Sequence, residues 1–315
     1  MAQEPQTLLG ICQELSTLGG PLLMPAMTFL GRTVPSSDRL PHHGSRRGPI
    51  SFMLDQQQQQ RSFGHFQAKE HGVASGTLAG FAASDSLRRG LCLTRLSVTK
   101  LNHLVTEQLV SCGVPAVGIS PFGTWKTAFK NVSEDGIAAV KDVLHSGYVP
   151  VLHGDCALDL EQHCCILSGD TITEVLAKEF SPRRVVFLTD VKGIYSCPPD
   201  TPGARLVDSI IVDPSGNMEP PVRTSVVPHD TTGGVLSKLQ AAVNMVSQSH
   251  GAIPVLICKL DSEAAERACL TGELKEDAGP TIHEEVLQLM GICVVPCLGQ
   301  NSTSSGKLIR SGKIS

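Results

Sequence analysis

The hydrophobic positions of the chain follow a repeated order, in which an amphipathic segment precedes a short apolar run. Apolar residues at helical spacing from Val98 to Leu109 come before the β-branched run Val114–Ile119. The same order predicts a helix capped by Ser133 and then a strand at Tyr148–Leu152.

Two further units of this kind follow along the chain. A helix at Thr171–Glu179 is predicted before a strand at Arg184–Leu188, and a helix from Val235 to Val246 before a strand at Ile253–Cys258. Four helix-then-strand units predict an α/β fold, an open and mainly parallel sheet between two helical layers.

The remaining segments differ in composition from these units. Residues 1–61 are rich in Pro, Ser, Gly and His, end near a run of five glutamines, and are predicted to be poorly ordered. Residues 196–228 predict a small hairpin around Ile210–Val212 that acts as a lid. The Ser/Gly/Lys-rich residues 283–315 are predicted to form a flexible tail. The expected domain spans residues 62–282.

The charge and the apolar runs exclude several classes of partner. A formal net charge of −4 gives no general attraction to nucleic acid or to an anionic membrane. No apolar run approaches ~18 residues, and the N-terminus lacks the pattern of a secretory signal. We therefore expect a cytoplasmic protein that does not insert into membranes.

The eleven cysteines are scattered along the chain, which favours reduced core thiols over a disulfide framework. Cys156, His163, Cys164 and Cys165 are candidate zinc ligands, but no pair has the spacing of a zinc finger. We predict no protein-bound metal.

The strongest candidate for chemistry is the glycine pair Gly233-Gly234 at a predicted helix start, with Lys238 one turn into the helix. Free backbone N–H groups at a helix start bind anions, and the lysine adds a positive charge. The alternative is an ordinary capped helix with a solvated lysine.

Ser168-Gly169-Asp170 also lies directly before a predicted helix. Gly169 allows a ligand to approach the backbone, and Asp170 is suited to orienting a lysine or holding a magnesium-bound phosphate. The alternative is that Asp170 only caps the helix.

Polar clusters follow two of the predicted strands. Thr189-Asp190 and Tyr195 come after one strand, and His153-Gly154-Asp155 after another. Because ligands bind beyond the carboxyl ends of parallel strands, these clusters are predicted to share one site, although plain turns remain an alternative.

A further motif, Ser62-Phe63-Gly64-His65, suggests a glycine turn that leads into a helix. His65 is a candidate donor to a substrate phosphate. The alternative is a structural histidine.

The order of these motifs resembles that of isopentenyl phosphate kinases, which belong to the amino acid kinase superfamily. The resemblance runs from about Ser62 to Ile282 and includes Leu101-Asn102 and Ser120-Pro121. It implies an α/β/α sandwich, usually a homodimer, that transfers the γ-phosphoryl group of ATP to isopentenyl phosphate.

The resemblance also implies a role for each motif. The acceptor phosphate would be bound by Gly64, His65, Gly154 and Gly169. Asp170 would organise the transfer centre, and Thr189, Asp190 and Tyr195 would contact the nucleotide. Gly233, Gly234 and Lys238 would hold the ATP phosphates, with Mg²⁺ bridging those phosphates.

The N-terminal segment departs from the family pattern. Family members open with a strand ending in Lys-x-Gly-Gly, whereas this chain has no lysine before Lys69. Gln59-Gln60-Arg61 stands where the family has Gly-x-Gly. Splicing, a gene-model error and divergence all explain this difference. Two alternatives therefore stay open: a superfamily kinase with another acceptor, and a nucleotide-binding pseudokinase.

Overall fold

A computed structural model of the chain describes residues 64–79, 84–189, 192–197, 201–213, 215–222, 234–275 and 277–284. From the second helix onward, each described helix is followed by either three strands or one. The helices are α1 (His65–Glu70), α2 (Asp85–Ser111), α3 (Ile137–His145), α4 (Gly169–Phe180), α5 (Gly234–Gln248) and α6 (Glu263–Leu270). The strands are β1 (Ala116–Gly118), β2 (Lys126–Ala128), β3 (Asn131–Glu134), β4 (Val149–Val151), β5 (Asp155–Asp159), β6 (His163–Leu167), β7 (Val185–Thr189), β8 (Ser209–Val212), β9 (Met218–Glu219), β10 (Val255–Lys259) and β11 (Thr281–Glu284).

The described strands form three hydrogen-bonded groups. β1 pairs with β4, a second group has the order β7-β10-β11-β8-β9, and a third has the order β3-β2-β5-β6. The pairs β1–β4, β2–β5, β7–β10 and β8–β11 are parallel, whereas the other pairs are antiparallel. The predicted α/β class is confirmed, and the sheets are mixed because three hairpins and the β10–β11 pair add antiparallel pairing to the parallel strands.

Strand β7, at the end of its hydrogen-bonded group, lies within a layered core. Every one of its residues is buried, as expected for a strand covered on both faces. Val186 and Leu188 pack in a cluster with the α2 side chain Leu101. Val185 and Phe187 pack on the opposite side, in a cluster with residues of α5. Helices therefore cover both faces of this strand, as the hydrophobic pattern predicted.

Helix α2 is the longest described helix, with 27 residues. Ser84 caps it by accepting a hydrogen bond from the N–H of Leu87 at 3.2 Å. Farther along, the buried Asn102 donates its Nδ2 to the carbonyl of Val151 at 2.9 Å. A Cβ on Gly118 would lie 2.7 Å from Oδ1 of Asn102, so only glycine allows this approach. The contacts fix α2 on the β1–β4 pair.

Asp159 stabilises the hairpin at the far end of β5. Its buried carboxylate accepts from the hydroxyl of Thr127 at 2.8 Å and from the backbone N–H groups of Lys130, Glu161 and Gln162. Burial raises the pKa of this carboxyl, but the hydrogen bonds outweigh burial and hold the pKa well below its usual range. The carboxylate is therefore an ionised structural group.

The predicted start of α3 was wrong, whereas the predicted hairpin of β8 and β9 is confirmed. Ser133 lies in β3 and does not cap a helix; α3 begins at Ile137, whose N–H donates to Oδ1 of Asp135 at 3.2 Å. The predicted hairpin around Ile210–Val212 is present, because β8 pairs antiparallel with β9. The predictions for residues 1–61 and for the tail after residue 284 lie outside the described residues. Among the described helices, none has the length and apolar character needed to cross a membrane.

Candidate functional site

A buried ion pair joins the starts of α4 and α5. Lys238, one turn into α5, is only 4% exposed, and its Nζ lies 3.7 Å from Oδ1 of Asp170, which is 7% exposed. The hydroxyl of Ser237 donates to Oδ2 of the same carboxylate at 2.8 Å. The structure therefore places the carboxylate of Asp170 beside a lysine, the kind of side chain that it is predicted to orient.

The environment of Asp170 disfavours the charged form of its carboxyl group. Burial raises the pKa of this carboxyl, and the neighbouring Lys238 and Ser237 offset part of that effect. The 3.7 Å ion pair is longer than a hydrogen bond, and Oδ1 is a buried acceptor without a hydrogen-bond partner among the described residues. A buried oxygen that accepts no hydrogen bond from the described residues is suited to contact a bound ligand.

The loops after β4 and β6 meet through their backbones. Ser168 caps α4 by accepting from the N–H of Thr171 at 3.0 Å, so the cap is not Asp170. A Cβ on Gly154 would lie 3.0 Å from the backbone N of Gly169. The two predicted glycines are thus close together, and a side chain at Gly154 would crowd the backbone of Gly169.

His65 lies within electrostatic range of the buried ion pair. Gly64 precedes it with a φ of 78°, in the left-handed region, and donates its N–H to Oγ of Ser97 at 3.0 Å. Burial lowers the pKa of His65, and the positive charge of Lys238 lowers it further. Its Nδ1 is buried without a hydrogen-bond partner among the described residues. His65, Asp170 and Lys238 are therefore brought together.

The predicted nucleotide residues lie on a neighbouring element. Thr189 ends β7, and Tyr195 forms an antiparallel bridge with Leu206 in the segment that follows. Ile194, the residue before Tyr195, packs in the same core cluster as Leu239, the residue after Lys238. Gly234 begins α5 as predicted. Asp190 and Gly233 lie outside the described residues.

A comparison with known families decides the membership of the chain. The model of the amino acid kinase family matches residues 60–259, more than half of the sequence. The chain belongs to the amino acid kinase family.

Within this family, two relatives agree with the motif pattern. The isopentenyl phosphate kinase of Arabidopsis thaliana is 39% identical over 228 residues, which are 68% of this chain and 66% of the relative. The isopentenyl phosphate kinase of Methanothermobacter thermautotrophicus is 32% identical over 57% of this chain and 66% of its own length. The chain thus spans just under two thirds of both relatives. The predicted resemblance is confirmed.

A solved isopentenyl phosphate kinase also resembles the described fold. It superimposes with a TM-score of 0.57 and 27% identity, over 70% of this chain and 80% of the solved one. The predicted amino acid kinase fold is confirmed.

The sequence motifs did not predict the ion pair that Arg95 forms with Asp155 in this amino acid kinase. The side chain extends from α2 to the carboxylate of Asp155, with its Nε 3.2 Å from Oδ1. One signal was available, because Arg95 lies four residues after Leu91 and three before Val98, at the edge of the buried face of α2. A charged residue at such a position needs a buried partner.

The three cysteines among the candidate zinc ligands are buried packing residues of β5 and β6. Cys156 and Cys164 lie in one core cluster with Leu87 and Leu91. Burial raises the pKa of the Cys164 thiol to about 11, which disfavours the thiolate that zinc binds. Within the described ranges, no group of three or more His, Cys, Asp or Glu side chains is arranged to hold a metal ion.

Magnesium bound to ATP fits this amino acid kinase without a site made wholly of protein. Mg²⁺ usually keeps several waters and binds through one or two carboxylates and the substrate phosphates. The buried Oδ1 of Asp170, which has no hydrogen-bond partner among the described residues, is one protein oxygen suited to such a contact or to a ligand water. The donor set is compatible with a nucleotide-bound ion.

Proposed function

We propose that this amino acid kinase transfers the γ-phosphoryl group of ATP to isopentenyl phosphate and forms isopentenyl diphosphate. The observation that carries the proposal is the position of His65, the residue predicted to bind the acceptor phosphate, within electrostatic range of the buried Lys238. The similarity to isopentenyl phosphate kinases supports the choice of acceptor.

The acceptor side of the site would work by positioning. An imidazole N–H of His65 donates to the acceptor phosphate, and the contacting backbones of Gly154 and Gly169 leave room for the same group. An anion beside His65 favours the protonated imidazole, in opposition to burial and to Lys238. Because a phosphate oxygen is already a nucleophile, no strong general base is needed.

The donor side would work by charge neutralisation. Lys238, oriented by Asp170, stabilises the negative charge that develops on the transferring group. Gly233 and Gly234 offer backbone N–H groups to the ATP phosphates, and Thr189, Asp190 and Tyr195 contact the nucleotide. Bound Mg²⁺ supplies further charge neutralisation on these phosphates.

The proposal includes the setting of the enzyme. Residues 62–282 would form the catalytic domain, acting in the cytoplasm as a homodimer, as the resemblance implies. Light scattering of the purified chain measures the subunit number directly.

A turnover assay with the full chain, ATP, Mg²⁺ and isopentenyl phosphate tests the function. We expect ³¹P spectra to show a diphosphate. We also expect His65→Gln to reduce kcat/KM for the acceptor by about tenfold to a hundredfold, because one directed donor is lost. His145→Gln, on the exposed end of α3, is the matched control and should be neutral. Absence of diphosphate, with the Arabidopsis relative active in the same buffer, would sink the proposal.

The second candidate is a nucleotide-binding pseudokinase. The observation that favours it is the lack of any lysine before Lys69, where the family pattern has Lys-x-Gly-Gly. Calorimetry that detects ATP binding in a protein without turnover on any phosphate, phosphonate or carboxylate acceptor would favour this candidate. Turnover on an acceptor other than isopentenyl phosphate would identify a different kinase of the superfamily.

A further inference from the structure

A second buried ion pair lies beside the site. Asp155, the first residue of β5, has a side chain that is 0% exposed, and the side chain of Arg95 is 27% exposed. Nε of Arg95 donates to both carboxylate oxygens, at 3.2 and 3.4 Å, and Nη2 lies 3.4 Å from Oδ2. The carboxylate also accepts from the N–H of Cys156 at 2.7 Å.

The loop after β1 joins the same pair. Ser120 donates its hydroxyl to Oδ2 of Asp155 at 3.1 Å and accepts from Nη2 of Arg95 at 3.0 Å. The guanidinium also stacks on the ring of Phe122, with 4.0 Å between its carbon and the ring centroid. Three segments therefore converge on one carboxylate: α2, the loop at Ser120–Phe122 and the start of β5.

Arg95 and Asp155 each lie next to one of the two segments proposed to bind the acceptor phosphate: that of His65 and that of Gly154. On α2, the turn that carries Arg95 also holds the segment of His65, because Gly64 donates to Ser97 and packs against Thr94 and Val98. On β5, Asp155 directly follows Gly154, whose backbone contacts that of Gly169. His153 adds a weaker contact, with its Nε2 3.9 Å from Oδ2 of Asp155.

We propose that Arg95 and Asp155 are positioning residues that hold the segment of His65 at a fixed distance from the Gly154–Gly169 contact. The inference rests on the proposed function, in which these two parts bind the same phosphate. The pair acts through its neighbours and has no contact with the transferring group. Its geometry requires arginine, because a planar guanidinium reaches the carboxylate, Ser120 and Phe122 together, whereas an ammonium group does not.

The β5 strand offers a matched control. Asp155 and Asp159 are its first and last residues, and both are buried carboxylates that accept several hydrogen bonds. Asp159→Asn weakens the same hairpin at the end remote from Gly154. A general loss of stability would affect both variants, whereas a loss of positioning affects only Asp155→Asn.

Steady-state kinetics in the full chain tests the pair. We expect Arg95→Gln and Asp155→Asn to raise KM for isopentenyl phosphate by about tenfold or more, because a small displacement of a binding group is costly. KM for ATP should stay within about twofold, since Lys238 and its partner Asp170 are not held by this pair. Arg95→Lys guards against misfolding, because it keeps the charge and should show the same selective rise in KM. Asp159→Asn should lower Tm and leave both KM values unchanged.

Hydrogen exchange gives a readout that does not depend on activity. In Arg95→Gln, amides at residues 64–72 and at 153–155 should both exchange faster than in the parent chain. In Asp159→Asn, faster exchange should be confined to residues 127–131 and 159–164. Faster exchange at only one of the two acceptor segments, or KM changes equal to those of Asp159→Asn, would overturn the proposal. If the parent chain has no turnover, the proposed function fails and the exchange pattern alone decides the positioning role.

Discussion

At Asp170, two effects on one carboxyl group oppose each other. Burial disfavours its charge, and Lys238 with Ser237 favours it, with burial the larger effect. The folded protein therefore holds a proton on this group at higher pH than the unfolded chain does, where the pKa is near 3.8. The contribution of Asp170 to the free energy of unfolding therefore falls as the pH rises from the unfolded pKa through the folded pKa. At neutral pH, the buried carboxylate still makes the folded state less stable.

This sign leads to a prediction for the buried pair. We expect Asp170→Asn/Lys238→Met to have a Tm at or above that of the parent chain at pH 7, because both desolvated charges are removed. Each single variant should have a lower Tm than the double variant, since it leaves one buried partner alone. Turnover should be at background in all three.

Thermal unfolding between pH 7 and pH 4 checks this prediction. The difference in Tm between the double variant and the parent should shrink as Asp170 of the parent becomes protonated. A double variant less stable than both singles would contradict the argument.

Individual residues were predictable where one residue type has few uses. A lysine after two glycines and an aspartate after Ser-Gly pointed to anion chemistry, and the structure brings Lys238 and Asp170 together. The cap at α4 was ambiguous, because Ser168 and Asp170 are both good capping residues. Arg95 was missed because its role depends on Asp155, 60 residues away, and local periodicity carries no information on such a contact.

At the scale of elements, the contact between the loops after β4 and β6 makes a prediction. In Gly154→Ala, the new Cβ would lie 3.0 Å from the N of Gly169 and 3.4 Å from the carbonyl of Leu167, so the two loops would move apart by a few tenths of an ångström. We expect kcat/KM for isopentenyl phosphate to fall by about tenfold to a hundredfold, because the acceptor loses its position.

Gly147→Ala is the control for this variant. Gly147 lies between α3 and β4 with a φ of 82°, and a Cβ there meets nothing within 4 Å. Backbone strain should lower its Tm without a change in kcat/KM. Equal kinetic losses in the two variants would show that stability, and not loop separation, limits the rate.

The elements themselves were predictable to different degrees. Helices and strands with clear apolar spacing, such as α5 and β10, appear where predicted. Helix α2 begins 13 residues before Val98, at Asp85, because its first half buries only scattered apolar residues such as Leu87 and Leu91. The hairpin of β5 and β6 was missed, since burial of its cysteines and the hydrogen bonds to Asp159 arise from tertiary contacts.

At the scale of the whole molecule, the N-terminal segment makes a further prediction. A chimera in which residues 1–61 are replaced by a first strand ending in Lys-x-Gly-Gly would supply the pattern that the resemblance implies. We expect kcat to rise by about 10²–10³-fold, the contribution of one group that stabilises charge in the transition state. The same chimera with that lysine changed to alanine is the control. Equal kcat values for the two chimeras would show that the lysine is not the missing group.

The class of the whole fold was predictable, whereas the order of its strands was not. Repeated helix-then-strand units indicate two helical layers around a sheet, and the burial of β7 on both faces agrees. Strand order and direction depend on which edges meet, as in the antiparallel pairing of β10 with β11, and periodicity does not encode that choice.

The burial of the core cysteines determines how the protein reacts with oxidants and alkylating reagents. Burial raises the pKa of Cys258 to about 12 and that of Cys164 to about 11, so the reactive thiolate is scarce in the native state. Cys92, in contrast, is exposed on the surface of α2. Modification of the buried thiols therefore requires the core to open first, and the rate of their alkylation measures how often it opens.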